Sequence, residues 1–221
     1  MDQPVIRDAA TVLVVRDSDT EPRVLVGQRG SRAAFMPSKF VFPGGALDPA
    51  DAEVPLARPL SERCAARLAR DGADASALAC AAIRELWEET GLMLGVRGDW
   101  PGTPPDDWAG FAAHGLVPSA AGLSYVFRAI TPAGRPRRFD ARFFLVDAAH
   151  VQGDPDDFSA ACEELSHLHW IALAEARALD LPFITEVVLA EVAALVETGG
   201  PPESVPFFDN SGPVPKFWRI T

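Results

Sequence analysis

Apolar residues recur along this chain with two periods. Near the start, Thr11-Val12-Leu13-Val14-Val15-Arg16 and Arg23-Val24-Leu25-Val26-Gly27-Gln28-Arg29 are β-branched runs on either side of the turn-rich Asp17-Ser18-Asp19-Thr20-Glu21-Pro22. They predict two strands. Lys39-Phe40-Val41-Phe42 predicts a short third strand ending at Pro43. Further strands are expected at Ser124 to Ile130 and Arg138 to Asp147, around the turn Thr131-Pro132-Ala133-Gly134, and at Leu168-His169-Trp170-Ile171, followed by a turn of helix. The 3.6-residue period appears between these segments. A helix should begin near Asp74 or Ser76, both good N-caps, and run to Thr90, its apolar stripe Ala79, Ala82, Ile83 and Leu86 facing a sheet. Another spans Pro182 to Glu197, burying Ile184, Val187, Val188, Val192 and Leu195, and stops at Gly199-Gly200-Pro201-Pro202. Shorter helices are expected at Leu60 to Arg70, ended by Asp71-Gly72, and at Asp106 to Ala113. The tail carries Phe207, Phe208, Phe217 and Trp218, too many aromatics for a solvated extension.

One helical stretch carries chemistry. Arg84-Glu85-Leu86-Trp87-Glu88-Glu89-Thr90-Gly91-Leu92 sets three carboxylates at i, i+3 and i+4, on one side of a helix. Like charges so placed repel and raise one another's pKa, and a hard divalent cation such as Mg²⁺ or Mn²⁺ removes the conflict. Gly91 follows as a left-handed helix stop. Upstream, Gly44 and Gly45 allow the chain to pass close to a metal or a phosphate.

These residues resemble the signature of the Nudix hydrolases, G-x5-E-x7-R-E-U-x-E-E-x-G-U with U aliphatic. Arg84, Glu85, Leu86, Glu88, Glu89, Gly91 and Leu92 match its helical half, and Gly45 its first glycine. There are two departures. Asp51 stands where the pattern has glutamate, and Gly45 and Arg84 are 39 positions apart where the pattern spaces them by 14, so about 25 residues are spliced into the box. The resemblance implies an α/β (α+β) Nudix fold: a mixed sheet sandwiched between helices, with residues 52–79 as a helical insertion in a single domain, 1–221. It implies metal ligation by Glu85 and Glu89, with Glu88 a further ligand or the water-activating base and the Gly45 carbonyl another candidate ligand. Arg84 would orient a box glutamate, and Glu164, beside Glu163 before the last strand, would add a ligand or base. The alternative for Glu164 is an exposed acidic loop.

A narrower likeness is to the long-insertion coenzyme A diphosphatases of peroxisomes. It rests on Phe42-Pro43-Gly44-Gly45-Ala46-Leu47-Asp48 before the insertion and on Arg137-Arg138-Phe139-Asp140-Ala141-Arg142-Phe143-Phe144 well after it. The first substrate so implied is coenzyme A or an acyl-CoA; ADP-ribose, NADH, dinucleoside polyphosphates and a catalytically silent nucleotide-binding module are the alternatives. Arg137, Arg138 and Arg142 are then expected to contact phosphate at the substrate mouth, unless they belong to a solvated strand. Trp100, Trp108 and Trp218 are candidates to stack a purine or to pack in the core.

Composition narrows the partners. A net charge of −11 disfavours a nucleic-acid polymer, whose affinity rests on a basic face, and suits a small-molecule nucleotide. No apolar run is long enough for a membrane span, and Met1-Asp2-Gln3-Pro4 does not open a signal peptide. Cys64, Cys80 and Cys162 have no metal spacing, so reduced thiols and a cytoplasmic location are expected, while Cys162, His167 and His169 read as packing and edge exposure rather than zinc. The oligomeric state stays open, a homodimer included.

Overall fold

The computed structural model describes residues 4–31, 33, 36–70 and 72–221. Met1 to Gln3 and the helix-stop position Asp71, on which two expectations fall, lie outside them. In chain order come β1 (Ile6–Arg16), β2 (Arg23–Arg29), β3 (Phe40–Val41), β4 (Gly44–Ala46), α1 (Glu62–Ala69) and α2 (Ala75–Thr90). Then follow β5 (Gly95–Arg97), α3 (Ala109–Ala113), β6 (Leu116–Pro118), β7 (Ser124–Ile130), β8 (Arg138–Asp147) and β9 (Leu165–Ala172). The last elements are α4 (Leu173–Ala176), α5 (Phe183–Thr198), β10 (Val205–Asp209) and β11 (Lys216–Ile220).

The main sheet runs β11-β10-β7-β8-β1-β2-β3, with β4 added to β1 and β9 to β2; β5 and β6 form a separate pair. It is mixed, because β1 and β8 are parallel along their length, from Ile6↔Arg138 to Val15↔Asp147. Val12 and Val14 belong to the hydrophobic cluster shared with α2, whereas Leu13 and Val15 belong to the one shared with α5. A central strand covered on both faces has no solvent side, which is why Thr11 to Val15 does not alternate with polar residues. The expected sandwich of a mixed sheet between helices is therefore what forms.

Asp74, not Ser76, caps α2, accepting from the backbone N–H groups of Ser76 and Ala77 at 2.9 and 3.0 Å. Gly91 ends it at φ 79°, donating its N–H to Trp87 O at 2.7 Å. More than a stripe is buried: every residue from Ala77 to Arg84 is covered, because Leu60 and, from α1, Cys64 and Leu68 pack in the same cluster as α2. The helical insertion is thus a layer of the core. Buried Arg67 donates to Pro202 O at 2.8 Å and also to Glu203 O, which ties α1 to the chain beyond α5. The aromatic tail is ordered as two strands: Phe207 and Phe208 of β10 pair with Arg128 and Ala129 of β7, and β11 is added at the edge. Among the described residues no helix is long and apolar enough to cross a membrane.

Candidate active site

The two halves of the split box meet where β4 lies on β1 beneath the end of α2. Gly44 and Gly45 pair with Thr11 and Ala10. A Cβ on Gly44 would lie 2.6 Å from Ala10 O, so that position demands glycine for space, and one on Gly45 would displace the Glu85 carboxylate from where it lies. The gap they leave lets the helix carboxylates reach the loop backbone. Gly44 N–H donates to Glu89 Oε2 at 2.7 Å.

Arg84 fastens the halves together. Nε and Nη2 make a two-pronged pair with Asp51 at 2.9 and 3.0 Å, Nη1 reaches Glu85 at 2.9 Å and Glu88 at 3.1 Å, and Nη2 also donates to Ala46 O at 3.1 Å. All five guanidinium donors are used. Asp51 is 1% exposed and receives Asp48 N–H as well, at 2.9 Å. Its shorter side chain still closes the box, because a 3₁₀ turn over Pro49–Glu53, capped by Asp48, carries the carboxylate up to Arg84. About 25 spliced residues leave this contact intact, because the insertion folds back onto α2 through Leu60, Cys64 and Leu68 and returns the chain to the box.

Electrostatically the site is overloaded with negative charge. Burial, opposed by Arg84, pushes the Glu85 carboxyl up to about 7. Burial also raises Glu88, and raises Glu89 well above the usual carboxylate range with help from Glu85. Arg84 would be lowered by its own burial, but Asp51, Glu85 and Glu88 outweigh that and keep it charged. Glu89 is 1% exposed, and its Oε1 is a buried oxygen with no hydrogen-bond donor among the described residues. In this conformation no three acidic or histidine side chains among the described residues form a ready-made metal cluster, because Arg84 draws Glu85 and Glu88 to itself. The donor chemistry nonetheless fits a hard divalent cation: buried carboxylate oxygens, one of them unpartnered, beside a glycine backbone.

Glu164 also comes to this site. Its Oε1 lies 3.0 Å from Arg29 Nη1, and Arg29 Nη2 is 3.9 Å from Glu89 Oε1. Nothing in the sequence pattern singled out Arg29; it was legible only as the end of a strand. Glu163 is exposed.

The strand arginines depart from expectation and require a correction. Arg138 and Arg142 are 4% and 3% exposed and are satisfied internally, so they do not line a substrate mouth. Arg138 donates to Thr131 O and Asn210 O at 3.1 and 3.0 Å. Arg142 pairs with Asp8 and donates to Asp140 O at 2.8 Å. Their even positions on β8 place them inward beside Asp140, to which Arg128 also binds at 2.8 and 2.6 Å. Arg137 alone of the three is exposed. The tryptophans divide similarly: Trp108 is buried against Trp100 and Phe111, and Trp218 lies on Phe207 with ring centroids 4.5 Å apart. The His169 ring faces the His167 carbonyl and the edge of Phe40.

Known proteins share this fold. The profile of the NUDIX domain matches residues 5–192. Nudix hydrolase 7 of Caenorhabditis elegans is 29% identical over 177 residues, covering 75% of this chain and 51% of that protein, so the chain spans about half the length of this curated relative. The crystal structure of a NUDIX hydrolase from Alicyclobacillus acidocaldarius superposes with a TM-score of 0.66 at 31% identity, over 87% of this chain and 93% of that one. Nudix hydrolases generally use divalent metals, which is the chemistry the glutamate cluster fits. With the domain profile covering most of its length and both halves of the box closed around Arg84, the chain belongs to the Nudix hydrolase family.

Proposed function

We propose that this protein is a Mg²⁺- or Mn²⁺-dependent diphosphatase that cleaves the diphosphate of a small nucleoside-diphosphate conjugate. The observation that carries the reading is Glu89: a carboxylate sunk in the core, with one oxygen on Gly44 N–H and the other unpartnered, facing further carboxylates. A buried carboxylate costs free energy unless it is paired, and a bound cation would supply the missing partner. Glu89 and Glu85, with the Gly45 carbonyl, would hold the cation, and Glu88 borders them on the solvent side. When bound, the cation neutralises phosphate charge and acidifies a water. The chain itself supplies the rest. Gly44 N–H fixes the Glu89 carboxylate, Arg84 fixes Glu85 and Glu88, and a rim carboxylate, Glu88 or Glu164, accepts the proton of the attacking water.

Coenzyme A or an acyl-CoA is the first substrate to test, on the strength of the split-box resemblance, followed by ADP-ribose, NADH and dinucleoside polyphosphates. Arg138 and Arg142 are held internally, so no cation is assigned to the adenosine end of the substrate. The net charge of −11 favours a small substrate over a polymer. The deciding experiment is a panel of these conjugates with Mg²⁺ and with Mn²⁺ in ¹⁸O-labelled water, read by product mass. Cleavage at the diphosphate with one ¹⁸O in one of the two phosphorylated products is expected. Nucleotide binding without turnover on any conjugate would replace this reading by that of a silent binding module.

A further inference from the structure

Arg29 closes β2, and its guanidinium stands between carboxylates of two other elements: Glu164 at 3.0 Å and Glu89 at 3.9 Å. The arginine side chain is only 17% exposed, whereas that of Glu164 is 54% exposed. A carboxylate so open on a loop has no position of its own and takes one from its contacts. The loop itself is docked along the end of α2 at two points. Ala160 packs where a side chain on Gly91 would intrude, with the two Cβ positions 3.1 Å apart, and Cys162 N–H donates to Glu88 O at 2.8 Å. Neither contact orients Glu164. Arg29, reaching across from the sheet, does.

We propose that Arg29 is a positioning residue: it holds Glu164 beside Glu89, so that the loop before β9 contributes a carboxylate to the site at a fixed place. The proposal rests on the diphosphatase reading and adds to it a residue outside the box. Without the guanidinium, two like-charged carboxylates would face each other across the same space and the exposed one, Glu164, would swing into solvent. An ion pair this open adds little to folding stability, so the consequence falls on geometry and not on the melting temperature.

The test compares wild type, Arg29→Ala, Arg29→Lys, Glu164→Gln and the Arg29→Ala/Glu164→Gln double variant. Kinetics use the best substrate of the panel, and amide hydrogen exchange of residues 160–166 is followed in the metal-free proteins. Arg29→Ala and Glu164→Gln should each lower kcat by about 10- to 100-fold with KM little changed, as loss of a supporting contact does. The double variant should be no worse than the weaker single variant by more than about threefold, because both changes remove the same placement. Arg29→Lys, which keeps the charge but not the fork, should recover most of the lost rate. Exchange at residues 160–166 should speed up by about tenfold in Arg29→Ala and in the double variant, and by less in Arg29→Lys, through local opening of the loop. Additive losses in the double variant, a fully active Glu164→Gln protein, or unchanged exchange in Arg29→Ala would overturn the proposal. The exchange measurement needs no turnover, so a protein that hydrolyses none of the conjugates would defeat the diphosphatase reading while the hold of Arg29 on Glu164 was still read directly.

Discussion

Two clusters of arginine and carboxylate are buried in this molecule, and they are built on opposite terms. The one in β7 and β8 is closed: Arg128 and Arg142 share Asp140, Asp8 takes the second arginine, Arg138 is held by the Thr131 and Asn210 carbonyls, and Arg128 rests on the Phe207 ring at 4.1 Å. None of its atoms is buried without a partner among the described residues. The one at the end of α2 is not closed. Arg84 and Arg29 face Asp51, Glu85, Glu88, Glu89 and Glu164, and Glu89 Oε1 is left without a donor. Burying a charge costs free energy that only pairing or hydrogen bonding returns, so a network whose groups are all partnered reads as structure, while an open, anionic one waits for a cation. Charge surplus and an orphaned oxygen, rather than the mere presence of arginines, separate the two.

The comparison breaks most sharply at Glu89. Glu89→Gln should abolish turnover, a fall on the order of 10³-fold or more, because it removes a ligand carboxylate while keeping shape. The metal-free melting temperature should be unchanged or raised, since a repelled buried charge is gone. Steady-state assays and a thermal melt in chelator check both; a large loss of stability with activity retained would place Glu89 in the structural class.

Asp140→Ala should do the reverse. It strands Arg128 and Arg142 in the core and should cost about 3–5 kcal/mol, seen as a melting temperature lower by roughly 10 °C. The kcat of the folded fraction, measured well below the transition, should stay within about twofold of wild type. A selective collapse of kcat would show that the strand cluster belongs to the site after all.

A smaller effect follows from pH. The Glu85 carboxyl is pushed up to about 7 in the folded chain, above its ordinary value of 4.5. A raised carboxylate stabilises the fold in its protonated form. Metal-free stability should therefore be greatest below about pH 4.5, decline as pH rises towards 7, and level off above it. Thermal melts across that window in chelator should show a shift of a few degrees, and saturating Mg²⁺ or Mn²⁺ should flatten the upper part of the curve. The smallest effect is expected at Arg137, the exposed member of its run: Arg137→Ala should change stability by less than about 0.5 kcal/mol. Its KM for every cleaved conjugate should stay within about twofold, as expected for a side chain outside the buried network.

What the sequence determined by itself is what short-range rules govern. The β-branched runs made β1 and β2, the 3.6-residue stripes made α2 and α5, and the i, i+3, i+4 spacing put three glutamates on one side of a helix. Each depends only on neighbours along the chain. Boundaries were read less well: β1 starts at Ile6 because Arg7 and Asp8 pair with β8, and the aromatic tail became two strands because β10 finds β7 across the sheet. The site divided along the same line. Glu85, Glu88, Glu89 and the hold of Arg84 on its neighbouring glutamates were legible, whereas the long-range partners of the arginines were decided in three dimensions. A guanidinium binds whatever carboxylate or carbonyl the fold delivers: Arg84 found Asp51 from 33 positions away, Arg29 found Glu164 from 135, and Arg142 turned inward to Asp8 from 134. Because a charge acts through space and not along the chain, the spacing of residues could announce the surplus of carboxylates, but only the packed sheet could show which of them remained unpaired.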